Sequence, residues 1–456
     1  MTQRKRPASD GDSGFAGGGG GIEVILDHNL PVPSCSHGPT LLFERFKSGA
    51  MEGRRFFACA VCRSRKLCNF YLPVDSKDWM KKQRQMHQDE VAKSSKEEHK
   101  ERFELFRLVK RLRMDQRCYC RSCAELLRPE QRRDHRSHDL VTGLTDQQLL
   151  RPSALLTANT EKNQESQYWF TPRSLQVLLS AIAAGGFDSV LCVGAPTLFE
   201  ALRRRTSVRA MLLDVDIRYV CKVNFVRTQH LLEEATPYTE LGEKNFAKFV
   251  RKAEKLLIVV DPPFGALVAP LSQTHQKIKA LLSPEQLCDS IWVFPYFMEP
   301  KIRQYQPDMK MCDYKVSYSN HPRFLRDRGC KGSPIRFFTT ISLEKLVLPL
   351  DEGYSLCGRC QKYVTSDVTH CDECNACASK NGLPYVHCHL CTRCVKASFR
   401  HCEKCDRCHL PKMACKDTLV TCLLCGFTGH KRATCPKRNT EEQEEDMSRK
   451  KIKSEN

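Results

Sequence analysis

Apolar residues in the middle of this chain fall in short unbroken runs rather than in alternating or helical patterns. "SVLCVGAP" (Ser189 to Pro196), "RAMLLDVD" (Arg209 to Asp216), "KLLIVVDPPFG" (Lys255 to Gly265), "SIWVFPYFM" (Ser290 to Met298) and "PIRFFTTI" (Pro334 to Ile341) are such runs. Their β-branched and aromatic content marks strands covered on both faces, and the stretches between them read as helical. Buried strands separated by helices predict an α/β core over residues 150–350, a Rossmann-like, doubly wound parallel sheet. Ligands of such sheets sit beyond the carboxyl ends of the strands. The first run ends on Gly194, the second carries Asp214, and the third stops at Asp261-Pro262-Pro263-Phe264. A helical period appears upstream, where Leu105, Leu108, Val109 and Leu112 recur at i, i+3, i+4 and i+7. It predicts an amphipathic helix at the end of a basic linker over 76–117, either packing one face on a neighbour or gripping phosphate. The Gly-rich residues 1–28 and the charged tail 438–456 lack any such pattern and are expected to be disordered.

Composition changes the picture at the ends. The chain has 456 residues, 27 of them Cys, and a formal net charge of +20. That length suggests two to four domains. Cysteines cluster before and after the central region and thin out within it. The N-terminal residues hold no apolar leader, and no run approaches the ~18 apolar residues of a membrane-spanning helix. A reduced interior then makes zinc a better reading of these thiols than disulfides, with no membrane partner expected. The positive charge favours nucleic acid through counterion release, without saying which kind.

Four zinc modules follow from spacing. In 33–75, Cys35-x-His37, Cys59 and Cys68 resemble the GRF-type zinc finger; the resemblance implies those four as ligands and single-stranded nucleic acid at Arg54 and Arg55. In 118–140, Cys120, Cys123, His135 and His138 make a C2H2-type site, the histidines one helical turn apart and Cys118 a competing thiol. In 354–416, the repeat H-C-x2-C-x2-C resembles interleaved arrays in which a C-x2-C pair joins the next His and the Cys seven residues on. That rule implies Cys357, Cys360, His370 and Cys377 as one site, and Cys371, Cys374, His387 and Cys394 as a second. Cys388, Cys391, His401 and Cys408 form a third, leaving Cys402, Cys405 and Cys415 with His409. In 420–437, Cys422, Cys425, His430 and Cys435 have the spacing of a CCHC knuckle, a module that favours single-stranded RNA.

"VGAP" lacks the G-x-G-x-x-G of nicotinamide-binding folds, so the third strand end decides the chemistry. Asp261-Pro262-Pro263-Phe264 looks like the [DN]-P-P-[FYW] motif of amino-group methyltransferases that use S-adenosylmethionine. The exocyclic N6 of adenine is a poor nucleophile, its lone pair delocalised into the ring. The Asp261 carboxylate and Pro262 carbonyl are suited to accept its two N–H bonds, Phe264 to stack on the base, and the prolines to hold the acceptors still. Asp rather than Asn at the first position favours adenine over glutamine amides.

The order of modules extends this. From about Pro33 to Pro436 the chain resembles the CCHC zinc-finger-containing rRNA N6-adenosine methyltransferases of animals. That resemblance implies N6-methylation of an adenosine in large-subunit ribosomal RNA, S-adenosylmethionine and several structural Zn2+ ions. It also implies a nucleolar or nuclear location with some cytoplasmic presence, and RNA-processing proteins as neighbours. It carries cofactor contact onto Gln167, Tyr168, Trp169 and Phe170, and by a looser match onto Asn224 and Phe225, alongside Gly194, Asp214 and Asp261. The target adenosine is expected in a loop or bulge, where unstacking is cheapest. The alternatives are a zinc-finger RNA-binding adaptor with a vestigial core, and a DNA or protein-amide methyltransferase.

Overall fold

A computed structural model describes residues 22–25, 30, 32–35, 38–45, 53–60, 65–66, 68–74, 101–102, 104–158, 167–214, 225–227, 239–263, 266–321 and 332–411. The chain divides into two units, one holding 1–60, 65–84 and 416–456, the other 61–64 and 85–415.

In the first unit β1 (Ile22–Ile25), β2 (Ser34–Cys35), β3 (Gly38–Arg45), β4 (Arg54–Cys59) and β5 (Tyr71–Pro73) form an antiparallel sheet. Leu42, Phe57 and Leu72 face one another across β3, β4 and β5 and make its small core. Ile22–Ile25 had been expected within a disordered end; the sequence IEVI instead supplies β-branched residues that pair with β3 as an edge strand.

The second unit begins with helical residues 101–102 and 104–111. Its inner face is Phe106 and Val109, with Leu105 and Leu112 partly covered, while Leu108 is exposed. The predicted stripe is therefore turned by one residue, because Phe106 outcompetes Leu108 for the core, and the packing reading of this helix holds. Buried Arg117 donates to Leu112 O at 2.9 Å, Lys110 O at 2.9 Å and Leu144 O at 3.2 Å, and pairs with Asp146 at 2.7 Å. It thereby satisfies carbonyls at the end of the helix that have no intrahelical partner. Next, β6 (Cys118–Cys120), β7 (Glu125–Leu127) and β8 (Leu140–Thr142) form a small sheet.

The central sheet follows. Its strands are β9 (Ser189–Val193), β10 (Arg209–Asp214), β11 (Phe225–Arg227), β12 (Lys255–Val260), β13 (Leu287–Pro295), β14 (Lys310–Cys312) and β15 (Ile335–Thr339). The seven strands stand in the order β11-β10-β9-β12-β13-β15-β14. Those from β11 to β13 are parallel, whereas β15 runs antiparallel to both β13 and β14. The sheet is thus mostly parallel with an antiparallel edge, a feature that apolar runs cannot reveal because they carry no direction. The edge strand Lys-Met-Cys is too short to register as a run.

Strand residues alternate between two cores, which explains the unbroken apolar runs. Val190, Cys192, Leu257, Val259, Ile291 and Val293 face α1 (Pro172–Gly185), α2 (Pro196–Arg205) and the 101–111 helix. Leu191, Leu256, Ile258, Val260, Trp292 and Phe294 face α3 (Thr239–Arg251), α4 (Val268–Lys279) and α5 (Glu299–Tyr305). Cys192 and Cys312 belong to the first of these cores and Cys288 packs against the second; burial pushes the Cys288 thiol up to about 11 and that of Cys312 up to about 12.

Three two-stranded ribbons close the described chain. They are β16 (Tyr354–Cys357) with β17 (Lys362–Thr365), β18 (Tyr385–Cys388) with β19 (Arg393–Lys396), and β20 (Arg400–Cys402) with β21 (Arg407–His409).

Candidate active site

From β9 the chain order runs outward through β10 to β11, and from β12 it runs the other way through β13. The crevice where ligands of such sheets bind therefore opens at the carboxyl ends of β9 and β12. The two chain ends are tied there: Asp261 N donates to Val193 O at 2.9 Å, and Gly194 N to Leu213 O at 2.8 Å. Gly194 has φ +65°, and a Cβ on it would lie 2.6 Å from the backbone oxygen of Asp261. The glycine thus lets the turn after β9 close against the Asp-Pro-Pro segment. Gly194→Ala should cost about 1–3 kcal/mol from its left-handed backbone alone, more once the Asp261 carbonyl is displaced. Thermal melting checks the stability loss, and methyl transfer should fall with it.

Asp214, at the end of β10, is buried near Asp261. Pro262 is half-buried, Pro263 exposed, and Pro263 O accepts from Ala266 N at 2.8 Å, which closes the turn. Phe264 and Asn224 lie outside the described residues; Phe225 opens β11, its Cα opposite Leu212.

The carboxyl of Asp261 lies deep although the residue as a whole keeps some surface. Burial holds it well above the usual carboxylate range, the Tyr318 hydroxyl opposes that shift, and the negative charge of Asp214 adds to it. The folded state therefore favours the protonated form. That contribution is fully present below the unfolded value of about 3.9 and is lost as pH rises through the raised folded value. Asp261→Asn removes the buried charge and keeps an oxygen for Tyr318. In the absence of cofactor the variant should melt above wild type at pH 8, and the gap should close toward pH 4; a lower melting point at pH 8 would contradict this.

Sequence reasoning missed the segment 317–321. Tyr318, fully buried, donates to Asp261 Oδ1 at 3.0 Å. Phe170 stacks on its ring at 5.3 Å and Tyr168 lies 5.8 Å away, with His321 at 4.4 Å from Tyr168. Backbone bonds run from Thr171 N to Ser317 O at 3.0 Å and from Ser319 N to Trp169 O at 2.7 Å. Asn320 accepts from Trp169 N at 2.9 Å and donates to Gln167 O at 2.7 Å. The segment Gln167–Phe170 is thus brought to Asp261 through residues that lie more than fifty positions downstream of the motif. "SYSN" offered no metal spacing, glycine pattern or acid to mark it.

The Cys/His groups also converge. Cys120, Cys123, His135 and His138, then Cys357, Cys360, His370 and Cys377, each place their ligand atoms within 4.8 Å of one another. So do Cys371, Cys374, His387 and Cys394, Cys388, Cys391, His401 and Cys408, and Cys35, Cys59 and Cys68. These are donor sets compatible with zinc. His135 and His138 stand in a turn closed by His138 N to His135 O at 2.9 Å, not on a helix. Such an i to i+3 turn brings side chains three apart onto one side, which accounts for the short spacing. Cys118 points into the small core with Leu127 instead. In the ribbons each His turns Nδ1 to the thiols, at 3.2 Å from Cys360, Cys374 and Cys391. Nε2 of His387 meets Glu373 at 3.1 Å and that of His401 meets Asp406 at 3.3 Å, outer carboxylates that fix the ring as metal-ligand histidines require.

One backbone feature unites these turns. Ala124, Gln361, Asn375, Thr392 and Asp406 all have φ between 44° and 56°, and each follows the second cysteine of a C-x2-C pair. Cys402 and Cys405 therefore share the turn of the complete sets, with the His409 ring against Cys402. Cys415, His37 and the knuckle residues Cys422, Cys425, His430 and Cys435 lie outside the described residues, as does most of both chain ends. In the first unit, Arg45 lies over Phe56 at 5.6 Å and Arg65 over Tyr71 at 4.6 Å, with Arg54 and Arg55 exposed. Stacked guanidinium and aromatic groups of this kind suit the bases and phosphates of a single strand. No helix among the described residues is long and apolar enough to cross a membrane.

Residues 161–326 match a family described as "Probable N6-adenine methyltransferase". The rRNA N(6)-adenosine-methyltransferase ZCCHC4 of Homo sapiens is 37% identical over 466 residues, covering 94% of this chain and 87% of that protein. Its Mus musculus counterpart is 39% identical over 453 residues, with 94% and 87% covered. The Xenopus laevis protein is 37% identical over 444 residues, with 91% and 89% covered. With this likeness extending over 94% of its length, the chain belongs to the family of S-adenosylmethionine-dependent rRNA N6-adenosine methyltransferases.

Proposed function

We propose that this protein methylates N6 of an adenosine in large-subunit ribosomal RNA, presented in a loop or bulge, and that its zinc modules bind the RNA. The observation that carries the reading is Asp261 at the β9–β12 crevice, its backbone set against the Gly194 turn and its carboxyl bonded by Tyr318. S-adenosylmethionine, when bound, would supply a methyl carbon activated by a sulfonium, from which the amine nitrogen displaces a neutral thioether as the N–C bond forms and one amine proton is lost to solvent. The residues fit that group: Gly194 shapes the turn at the head of the crevice, buried Asp214 is suited to ribose hydroxyls, and Gln167–Phe170 are tied to the segment that carries Tyr318. A positive charge beside Asp261 would favour its ionised form, reversing the effect of burial and Asp214. The carboxylate and the Pro262 carbonyl then accept the two N–H bonds of the amine and hold its lone pair toward the methyl group. Orientation of this kind supplies most of the acceleration, since the donor is already activated. A nucleolar place of action and contact with RNA-processing proteins follow from such a substrate.

The test is transfer of labelled methyl from S-adenosylmethionine to ribosomal RNA fragments, with duplex DNA and protein as competitors and N6-methyladenosine as the product scored. RNA binding without methyl transfer would leave the adaptor reading instead.

A further inference from the structure

We propose that Tyr318 is a positioning residue for this reaction: its buried hydroxyl pins one oxygen of the Asp261 carboxyl, leaving the other to face the incoming amine. The proposal rests on the methyl-transfer reading and adds to it a residue that neither motif nor spacing indicates. Tyr318 is fully buried, and its hydroxyl lies 3.0 Å from Asp261 Oδ1. A carboxyl on a single χ2 torsion can otherwise rotate both oxygens through the site. One fixed hydrogen bond removes that freedom, so the remaining oxygen is preorganised before the base arrives.

The support behind Tyr318 is unusually complete. Phe170 stacks on the ring at 5.3 Å, with the planes inclined by 18°. Phe170 and Tyr318 also form a β-bridge, so backbone and side chain agree on the register. Asn320 bonds both Trp169 N and Gln167 O, fastening the segments on either side of the stack. The arrangement couples the carboxyl to the segment Gln167–Phe170. A shift in one is felt by the other through the Tyr318 ring.

Among the described residues, the charged and titratable groups around the carboxyl are Tyr318 itself and Asp214 from the end of β10, with Tyr168 and His321 in the layer behind the phenol. A hydrogen bond donated to a carboxylate favours its ionised form, so losing it must raise the carboxyl pKa further. The prediction is therefore directional, and simple loosening of the core would not reproduce it.

The experiment uses the full zinc-loaded chain and a ribosomal RNA fragment, with initial rates at saturating substrates followed against pH. Tyr318→Phe should lower kcat by about 10- to 100-fold and move the acid limb to higher pH, while calorimetry shows the affinity for S-adenosylmethionine within about threefold of wild type. Replacing Tyr318 by 3-fluorotyrosine preserves packing and strengthens the donor, so it should move the same limb to lower pH; it serves should the phenylalanine variant fold poorly. An unmoved limb in both variants overturns the proposal, as does a rate loss matched by equal loss of cofactor affinity. A wild-type protein that binds cofactor and RNA but transfers nothing overturns the reaction assignment itself, an outcome distinct from active wild type with an indifferent Tyr318.

Discussion

Asp261→Ala should reduce methyl transfer to RNA by about 10²- to 10³-fold, the loss typical of one preorganised polar group at a reacting centre. The effect is expected in kcat, because the carboxyl works on an amine that other contacts have already delivered. Alanine removes the acceptor for one N–H and also takes away the oxygen to which Tyr318 donates. Asp261→Asn should fall between alanine and wild type. Its amide oxygen can replace the one held by Tyr318 or the one facing the amine, but not both, since the second position now carries NH2. It also cannot titrate, so the acid limb present in wild type should vanish from its pH profile. Equal activity of wild type and the alanine variant on RNA would remove Asp261 from the reaction. Single-turnover rates with labelled cofactor separate these cases from changes in RNA binding.

The parts of this site that were legible in the sequence are those whose chemistry is local. A C-x2-C pair marks a turn that carries two ligands, while the choice of the distant His and Cys rested on the resemblance to interleaved arrays, and the clusters at Cys357, Cys371 and Cys388 have those members. Gly194 and Asp261 were visible because each terminates an apolar strand. Their relation was not: the near-contact between a Cβ at 194 and the Asp261 carbonyl exists only once β9 and β12 are neighbours in the sheet. Tyr318 was invisible for a similar reason. A tyrosine between two serines carries no local signal, and its meaning comes from pairing with Phe170 across the fold. The antiparallel edge of β14 and β15 and the turned face of the 101–111 helix were likewise set by tertiary neighbours that periodicity does not contain. Long-range pairing decides these features, and local pattern only permits them.

Chelation should have the other large effect, and it should separate binding from the cofactor site. The ribbons β16–β17, β18–β19 and β20–β21 are two-stranded, and such hairpins are marginal in water. The first is anchored on the large core through Tyr354 and Tyr363, but around its cysteines only Val364, Val368 and Cys377 are buried, with Cys357 and Cys360 beside them. Each structural zinc contributes on the order of 10–16 kcal/mol to such a module, which exceeds the margin by which most domains are folded. Four complete Cys/His sets stand among the described residues, so metal analysis should find at least four zinc ions per chain. The crevice at β9 and β12 draws its stability from the two cores on the faces of the sheet and needs none of them. After treatment with a strong chelator the affinity for S-adenosylmethionine should therefore survive, while RNA affinity falls by about 5- to 150-fold for each stacked base lost. Methyl transfer should drop with RNA binding and recover when zinc is restored before aggregation. Unchanged RNA affinity in metal-free protein would instead assign the zinc modules to structure alone.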